Sequence, residues 1–362
     1  MSEIVAPEKR IGLNSLLNFE APADRVEDLL KKVPIDLPGA SDEIKRFLIK
    51  QVIEMMQLEY GRYENKTKVS EELVDQLLVD AIDTHVHGAS DPFERSQYED
   101  DLGIAATKAK MRAIVIKTWY SPSASRNELA QRAVDRYANE HGLRPTECWG
   151  GVTLNRPAGG INADAVRKCL GFPRMKYVWM PMADSWWHQY VVFNRKNEGI
   201  RFLDEKYRPL PELTEMLRVV ADNDLVLACG HYPYEEEVVL FEEAKRVGVK
   251  RMEVVHPSLI HTKHTIAQMK TLASEGIYLG LMGIASMNIR FIEGFKWWIQ
   301  AIKELSDHFV LGTDSGQIQN PTHMDGLRWL IKVLVAYGVT PEEIHKMVYV
   351  NPRKHTGIGV DA

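Results

Sequence analysis

The pattern of apolar and polar positions changes character once along the chain. Up to about residue 80, stretches such as "ADRVEDLLKKV", "SDEIKRFLIKQVIEMMQLEYGRY" and "SEELVDQLLVD" carry apolar residues at helical spacing and begin on capping residues. They predict an N-terminal helical extension over 1–80 that covers one end of the next domain or builds an oligomer contact. From residue 81 the pattern becomes short apolar runs: "AIDTHV", "RAIVIKT", "CWGGVTL", "YVWMPM", "LVLACG", "RMEVVH", "IYLGLM" and "FVLGTD". Amphipathic stretches such as "SRNELAQRAVDRYANEHG" and "EEEVVLFEEAKRVG" fill the gaps. Parallel strands joined by crossover helices have this signature, and eight repeats of it predict an α/β fold of the (β/α)8 TIM-barrel type over 81–362.

Two segments depart from that rhythm. The run "ADSWWHQYVVFNRKNEGIRFLDEKYRPL" after the fourth strand is too long for a simple connection, and such loops tend to be lids or binding elements. Near the end, "VTPEEIHKMVYVNPRKHTGI" places Thr340 and Glu343 at capping-box spacing with Pro341 between them, predicting a terminal helix and then an extended tail.

Composition narrows the function classes. The 362 residues are 45% hydrophobic and 26% charged, the balance of a soluble globular protein. A net charge of -5 with no lysine and arginine stripe argues against nucleic acid as a partner. The start "MSEIVAPEKRIGLN" has no apolar signal core, and no stretch reaches the roughly 18 apolar residues of a membrane span. The expectation is a soluble cytoplasmic protein without a membrane partner, and the helical extension points to a homo-oligomer. Cys148, Cys169 and Cys229 stand far apart with no CxxC pair, so any bound metal must rely on histidine and carboxylate.

In a barrel of this kind the carboxyl ends of the strands converge on one site. The first strand ends in His85 and His87, which as residues i and i+2 point to the same side. Lys117 ends the second strand, His231 the fifth, His256 the sixth and Asp314 the eighth. Each alone has an ordinary explanation as a hydrogen-bonded strand end or a helix cap. Together, four histidines and an aspartate at ends that the fold gathers point to a divalent metal, with zinc first and manganese or iron as alternatives.

From residue 81 to about 358 the chain resembles the amidohydrolase superfamily of metal-dependent hydrolases. The resemblance rests on "HVH" at 85–87 after an "ID" strand, on His231, His256 and Asp314, and on the closing "NPRKHTGI". It implies one or two ions and a proton-carrying role for Asp314. It leaves His231 and His256 as ligands of a second ion or, with one ion, as hydrogen-bond donors to substrate or to a developing oxyanion. Binuclear members carry a bridging lysine or glutamate on the fourth strand. Here Lys176 begins that strand at the wrong end and Asp184 lies past it. Lys117 is the nearest substitute, either carbamylated between two ions, or an ammonium for a substrate carboxylate, or a snorkelling side chain.

A substrate surface of Trp119, Tyr120, Trp186, Trp187 and Tyr232 is expected near this centre, with His188 and Tyr234 close by and Arg290 as an anion anchor. Packing between loops explains the aromatics equally well. His261 and His264 read as surface positions on a helix, and Glu235 and Glu236 as first-turn acids that could also support a histidine. The leading functional expectation is hydrolysis of an amide, lactone or related carbonyl bond in a small molecule. Metal-dependent decarboxylation of a small carboxylic acid is the enzymatic alternative, and a ligand-binding or regulatory barrel the non-enzymatic one.

Overall fold

The computed structural model describes residues 69–259, 262–283, 294–318 and 320–360. Most of the 1–80 extension therefore lies outside the described residues, which take it up only at the helix Glu71–Leu78, capped by the Ser70 hydroxyl. Eight parallel strands follow in sequence order: β1 Ile82–Val86, β2 Ala113–Ile116, β3 Glu147–Thr153, β4 Met175–Trp179, β5 Val226–Ala228, β6 Arg251–Val255, β7 Tyr278–Met282 and β8 Phe309–Gly312. All eight predicted apolar runs are strands. They are continuous apolar runs because both faces are covered, one by the barrel interior and the other by helices.

Closure of the barrel is made at the site end. The Asp314 N–H donates to the His85 carbonyl at 2.8 Å, and the His87 N–H donates to the Ser315 carbonyl at 2.8 Å. Gly312 permits this approach, since a Cβ there would lie 2.9 Å from the His85 Cβ.

Inside the barrel, Ile82, Val115, Tyr177, Trp179, Val226 and Met282 pack together with Ile358 from the tail. The larger apolar layer lies between strands and helices. The helix Pro211–Asp222 shows the logic: Leu213, Met216, Leu217 and Val220 recur at helical spacing and are buried. Each such side chain contributes about 1.5–3 kcal/mol by leaving water. Leu217→Ala is expected to cost about 2–5 kcal/mol, read as a shift in the urea unfolding midpoint.

Local signals at helix ends behave as the sequence implies. Thr340 and Glu343 form the expected capping box at Pro341–His345. The tail does not run on extended, however. A π turn over Lys346–Val350 leads straight into the helix Asn351–Thr356. Pro352 lacks the N–H that a regular α turn would use, and the wider turn before it accommodates that. His355 then enters the barrel floor, where its Nε2 lies 2.9 Å from Glu253 Oε2, an oxygen that also accepts from the Tyr177 hydroxyl at 3.1 Å. Among the described residues no helix is long and apolar enough to cross a membrane.

Candidate metal centre

His85 lies within β1 and His87 just beyond it, so both imidazoles face the barrel mouth. His87 Nε2 is 2.9 Å from Asp314 Oδ1, and His85 Nε2 is 3.5 Å from the same oxygen. One ligand atom from each of His85, His87 and Asp314 can be chosen so that all three lie within 4.8 Å of one another, and all three residues are buried. The sixth strand adds His256, whose Nδ1 is 3.8 Å from Asp314 Oδ2. His256 and Asp314 both hold left-handed backbone, at φ 57° and φ 53°. Such conformations cost energy in residues other than glycine and concentrate at functional sites.

Asp83, two residues before His85, fastens the two ends of this cluster. Its carboxylate accepts from the His85 N–H at 2.9 Å and from the Thr313 hydroxyl at 2.8 Å, and it lies 2.9 Å from His323 Nε2. One buried carboxylate thereby holds the strand that carries His85 and the residue that precedes Asp314. Neither Asp83 nor His323 stands out in the sequence, because 240 positions separate them along the chain.

The electrostatics favour the metal-binding forms. Burial drives the His85 imidazole well below the ordinary histidine range, with the Lys117 charge adding to it. Burial likewise lowers His87 and takes His256 down to about 3. Burial alone would raise Asp314, but His85, His256 and His87 outweigh it and hold the carboxyl well below its usual range. Neutral imidazoles beside an ionised carboxylate form the donor set that zinc, manganese or iron takes up. The Nδ1 atoms of His85 and His87 have no hydrogen-bond partner among the described residues, so neither ring is committed elsewhere through that nitrogen. The residues present therefore fit a divalent cation.

Lys117 stands directly beside this set. Its Nζ lies 3.2 Å from His85 Nε2 and 5.8 Å from the centre of the Trp179 ring. Its side chain is 1% exposed, which overturns the snorkelling reading: the amine is inside the barrel and not in solvent. Burial brings its pKa down to about 8. On β4, the place expected for a bridging group is taken by Trp179, whose ring is 6.4 Å from that of His85. Lys176 is engaged at the opposite end, donating to the Asp224 carbonyl, and Asp184 accepts from the Arg156 N–H.

His231 extends the cluster sideways. Its ring is 5.5 Å from His256, which in turn is 5.0 Å from His85. On its other side is His188, delivered by the helix Trp186–Phe193 of the long fourth loop. His188 reads from sequence only as one of several rings in that loop. The signal for its placement is Ser185, whose hydroxyl caps this helix by accepting from the His188 N–H.

Of the expected aromatic surface, Trp119 and Tyr120 are half-buried at the mouth, joined by Phe93. Trp119 meets His188 and His231 edge-on at 6.4 and 6.5 Å. Trp186 is tied down by its indole N–H to Glu236 and by Arg201 across its face, while Trp187 packs against Tyr190. Glu235 and Glu236 stand in the first turn of the helix Tyr234–Arg246 as expected, and Glu236 holds a tryptophan there instead of a histidine. Tyr232 is fully buried, with its hydroxyl on the Ile200 carbonyl and its ring on Phe202, so it packs the loop instead of facing a substrate. Arg290 and His261 lie outside the described residues.

His264 corrects another expectation. It is not on the surface: it is fully buried, with Nε2 2.6 Å from Glu237 Oε2. Glu237 Oε1 also accepts from the Cys229 thiol at 3.2 Å, which ties this pair to the end of β5. Burial alone would lower the His264 pKa, but Glu237 overrides it and the net shift is upward from 6.5. A folded pKa above the unfolded one contributes stability that is fully present below pH 6.5 and is lost as pH rises through the raised value. Urea unfolding midpoints should therefore fall above pH 6.5 by an increment that His264→Gln removes. Breaking the pair from one side is expected to cost about 3–5 kcal/mol.

A family model described as a family of unknown function, DUF6282, matches residues 80–280. No curated protein matches the chain. Among solved structures, an amidohydrolase from Pseudomonas aeruginosa is similar at 14% identity, covering 79% of this chain and 98% of that one, with a TM-score of 0.53. A dihydroorotase is similar at 13% identity, over 78% of this chain and 70% of its own, with a TM-score of 0.49. The amidohydrolase shares this fold, which is the fold that the sequence resemblance implies.

Proposed function

The chain belongs to the DUF6282 family, a family of unknown function, and from the site it carries we propose that it is a metal-dependent hydrolase acting on an amide, lactone or related carbonyl bond of a small molecule. The observation that supports this most is the buried convergence of His85, His87 and Asp314 at the mouth of the barrel. A second support is the shared fold with a protein described as an amidohydrolase.

In this reading His85, His87 and Asp314 hold a divalent ion, zinc by preference, with His256 and His231 completing the centre. Such an ion supplies Lewis acidity and a water whose pKa falls from 15.7 to about 7. The chain's own residues do the rest. Asp314, kept ionised by the imidazoles around it, accepts the proton of the attacking water at a carboxylate oxygen and returns it to the leaving group. With a single ion, His256 would instead hydrogen-bond the substrate or the oxyanion that develops. Trp119, Tyr120 and Phe93 form the wall against which a small organic substrate rests.

Lys117 enters as the group beside His85. A carbamate on its Nζ would supply the carboxylate that β4 lacks, and crystallographic density for a carboxyl group beyond Nζ distinguishes it from an ammonium. Decarboxylation of a small carboxylic acid is the second reading, favoured by Trp179 standing where a bridging group was expected.

Chelation tests the metal dependence. Removing metal should abolish turnover across a panel of lactones, amides and aryl carboxylates, and zinc or manganese should restore it. Hydrolysis products without carbon dioxide identify the first reading, and carbon dioxide release identifies the second. Full activity in metal-free protein, checked by elemental analysis, would sink both.

A further inference from the structure

The His188 and His231 rings meet in an unusual way. Their planes are 20° from parallel and their centroids 4.9 Å apart, yet their Nδ1 atoms are only 2.8 Å apart. Rings stacked face to face keep atoms at about 3.5 Å or more. Nitrogens at 2.8 Å therefore meet edge to edge, near one plane, at the length of a hydrogen bond. Both rings are buried, His188 at 5% exposure and His231 at 3%. The contact is also built from the backbone: the Ser185 hydroxyl accepts from the His188 N–H and donates to the His231 carbonyl at 2.5 Å. Trp119 lies edge-on to both rings, and Phe193 covers His188.

A contact between two imidazole nitrogens accommodates one proton. Two lone pairs repel, and two N–H groups clash. The tautomers of the two rings are therefore coupled, because a neutral imidazole carries one proton in total. If His188 donates, neutral His231 must hold its proton on Nε2 and offers no lone pair there. If His231 donates from Nδ1, its Nε2 is a bare lone pair and His188 carries its own proton on Nε2.

We infer that His231 donates from Nδ1 to His188, making His188 the positioning residue that presents His231 Nε2 to the metal centre as a ligand. The direction follows from placement. His231 Nδ1 is occupied by His188, so His231 can join His256 and His85 only through its other nitrogen. Histidine ligands ordinarily give their remote N–H to a carboxylate or a carbonyl. Here an imidazole from the fourth loop takes that part, which couples the loop's position to the centre. The inference rests on the metal-centre reading above.

The test uses the full chain loaded with zinc and titrated with a competing chelator. His188→Leu removes the acceptor and is expected to weaken zinc at the His231 position about 10–100-fold. His188→Glu, which can only accept, should hold zinc as tightly as wild type or more tightly. His188→Lys, which can only donate, should fall with the leucine variant. Circular dichroism and melting temperature establish that each variant is folded. Nitrogen-15 resolved NMR should show a proton on His231 Nδ1, and that signal should change in His188→Leu. Wild-type affinity in both the leucine and lysine variants would overturn the inference, as would a proton found on His188 Nδ1. If wild-type protein binds no zinc, the metal reading fails first, and the NMR measurement on the metal-free chain still decides which ring donates.

Discussion

Protein carrying His85→Ala or His87→Ala is expected to lose the divalent ion of the proposed centre while keeping its fold. Both rings are neutral through burial, and both direct Nε2 to the same oxygen of Asp314. In the proposed centre each removal takes away a direct ligand, so the loss of affinity should exceed the 10–100-fold typical of outer partners. The fold should survive because alanine at 85 or 87 leaves intact the backbone bonds that close the barrel between His85, His87, Asp314 and Ser315. Elemental analysis of purified variants, alongside unfolding curves, reads the two effects separately. Unchanged metal content in both variants would sink the site assignment. Loss of metal together with a collapse in stability would instead show that the ion is a structural element of the barrel.

The second large effect is expected at Asp314. Asp314→Asn keeps the side chain's size but removes the carboxylate that would accept a proton from water. A positioned acid or base contributes about 10²–10⁴-fold to rate, and turnover should fall by at least that much. The asparagine also forfeits the negative charge that faces His85, His87 and His256. Metal affinity should therefore drop as well, though less than in the histidine variants, because an amide oxygen remains available as a ligand. Measuring kcat at saturating zinc separates the chemical loss from weaker binding. Retention of full kcat would remove Asp314 from the proton-carrying role and leave the water to another base.

The barrel and the histidines and aspartate gathered at its mouth were legible in the sequence for a local reason. A strand buried on both faces is a continuous apolar run, and eight such runs can be counted without knowing how they pair. The i, i+2 rule puts His85 and His87 on one side, and the convergence of strand ends in a barrel brings Asp314 and His256 to them. The capping box at Thr340 was legible for the same reason, since its two hydrogen bonds join residues three apart.

What the sequence left open depends on contacts between distant elements. Lys117 could be assigned to a strand end, but only the packed interior places its amine beside His85 with Trp179 beneath it. His264, three residues after His261, reads from its spacing as a surface helix position, but it precedes the helix Ile266–Ser274 and its burial depends on Glu237 arriving from the helix Tyr234–Arg246. Tyr232 sits next to His231 in the chain and yet turns into packing, because the long fourth loop brings the Ile200 carbonyl and the Phe202 ring against it. The sequence by itself determined the number and order of the strands and which chemical groups stand at their ends, because those follow from local periodicity. The tertiary structure alone decided that Asp83 binds His323 and that His188 meets His231, because only closure of the barrel and folding of the fourth loop over its mouth bring those side chains within hydrogen-bonding distance.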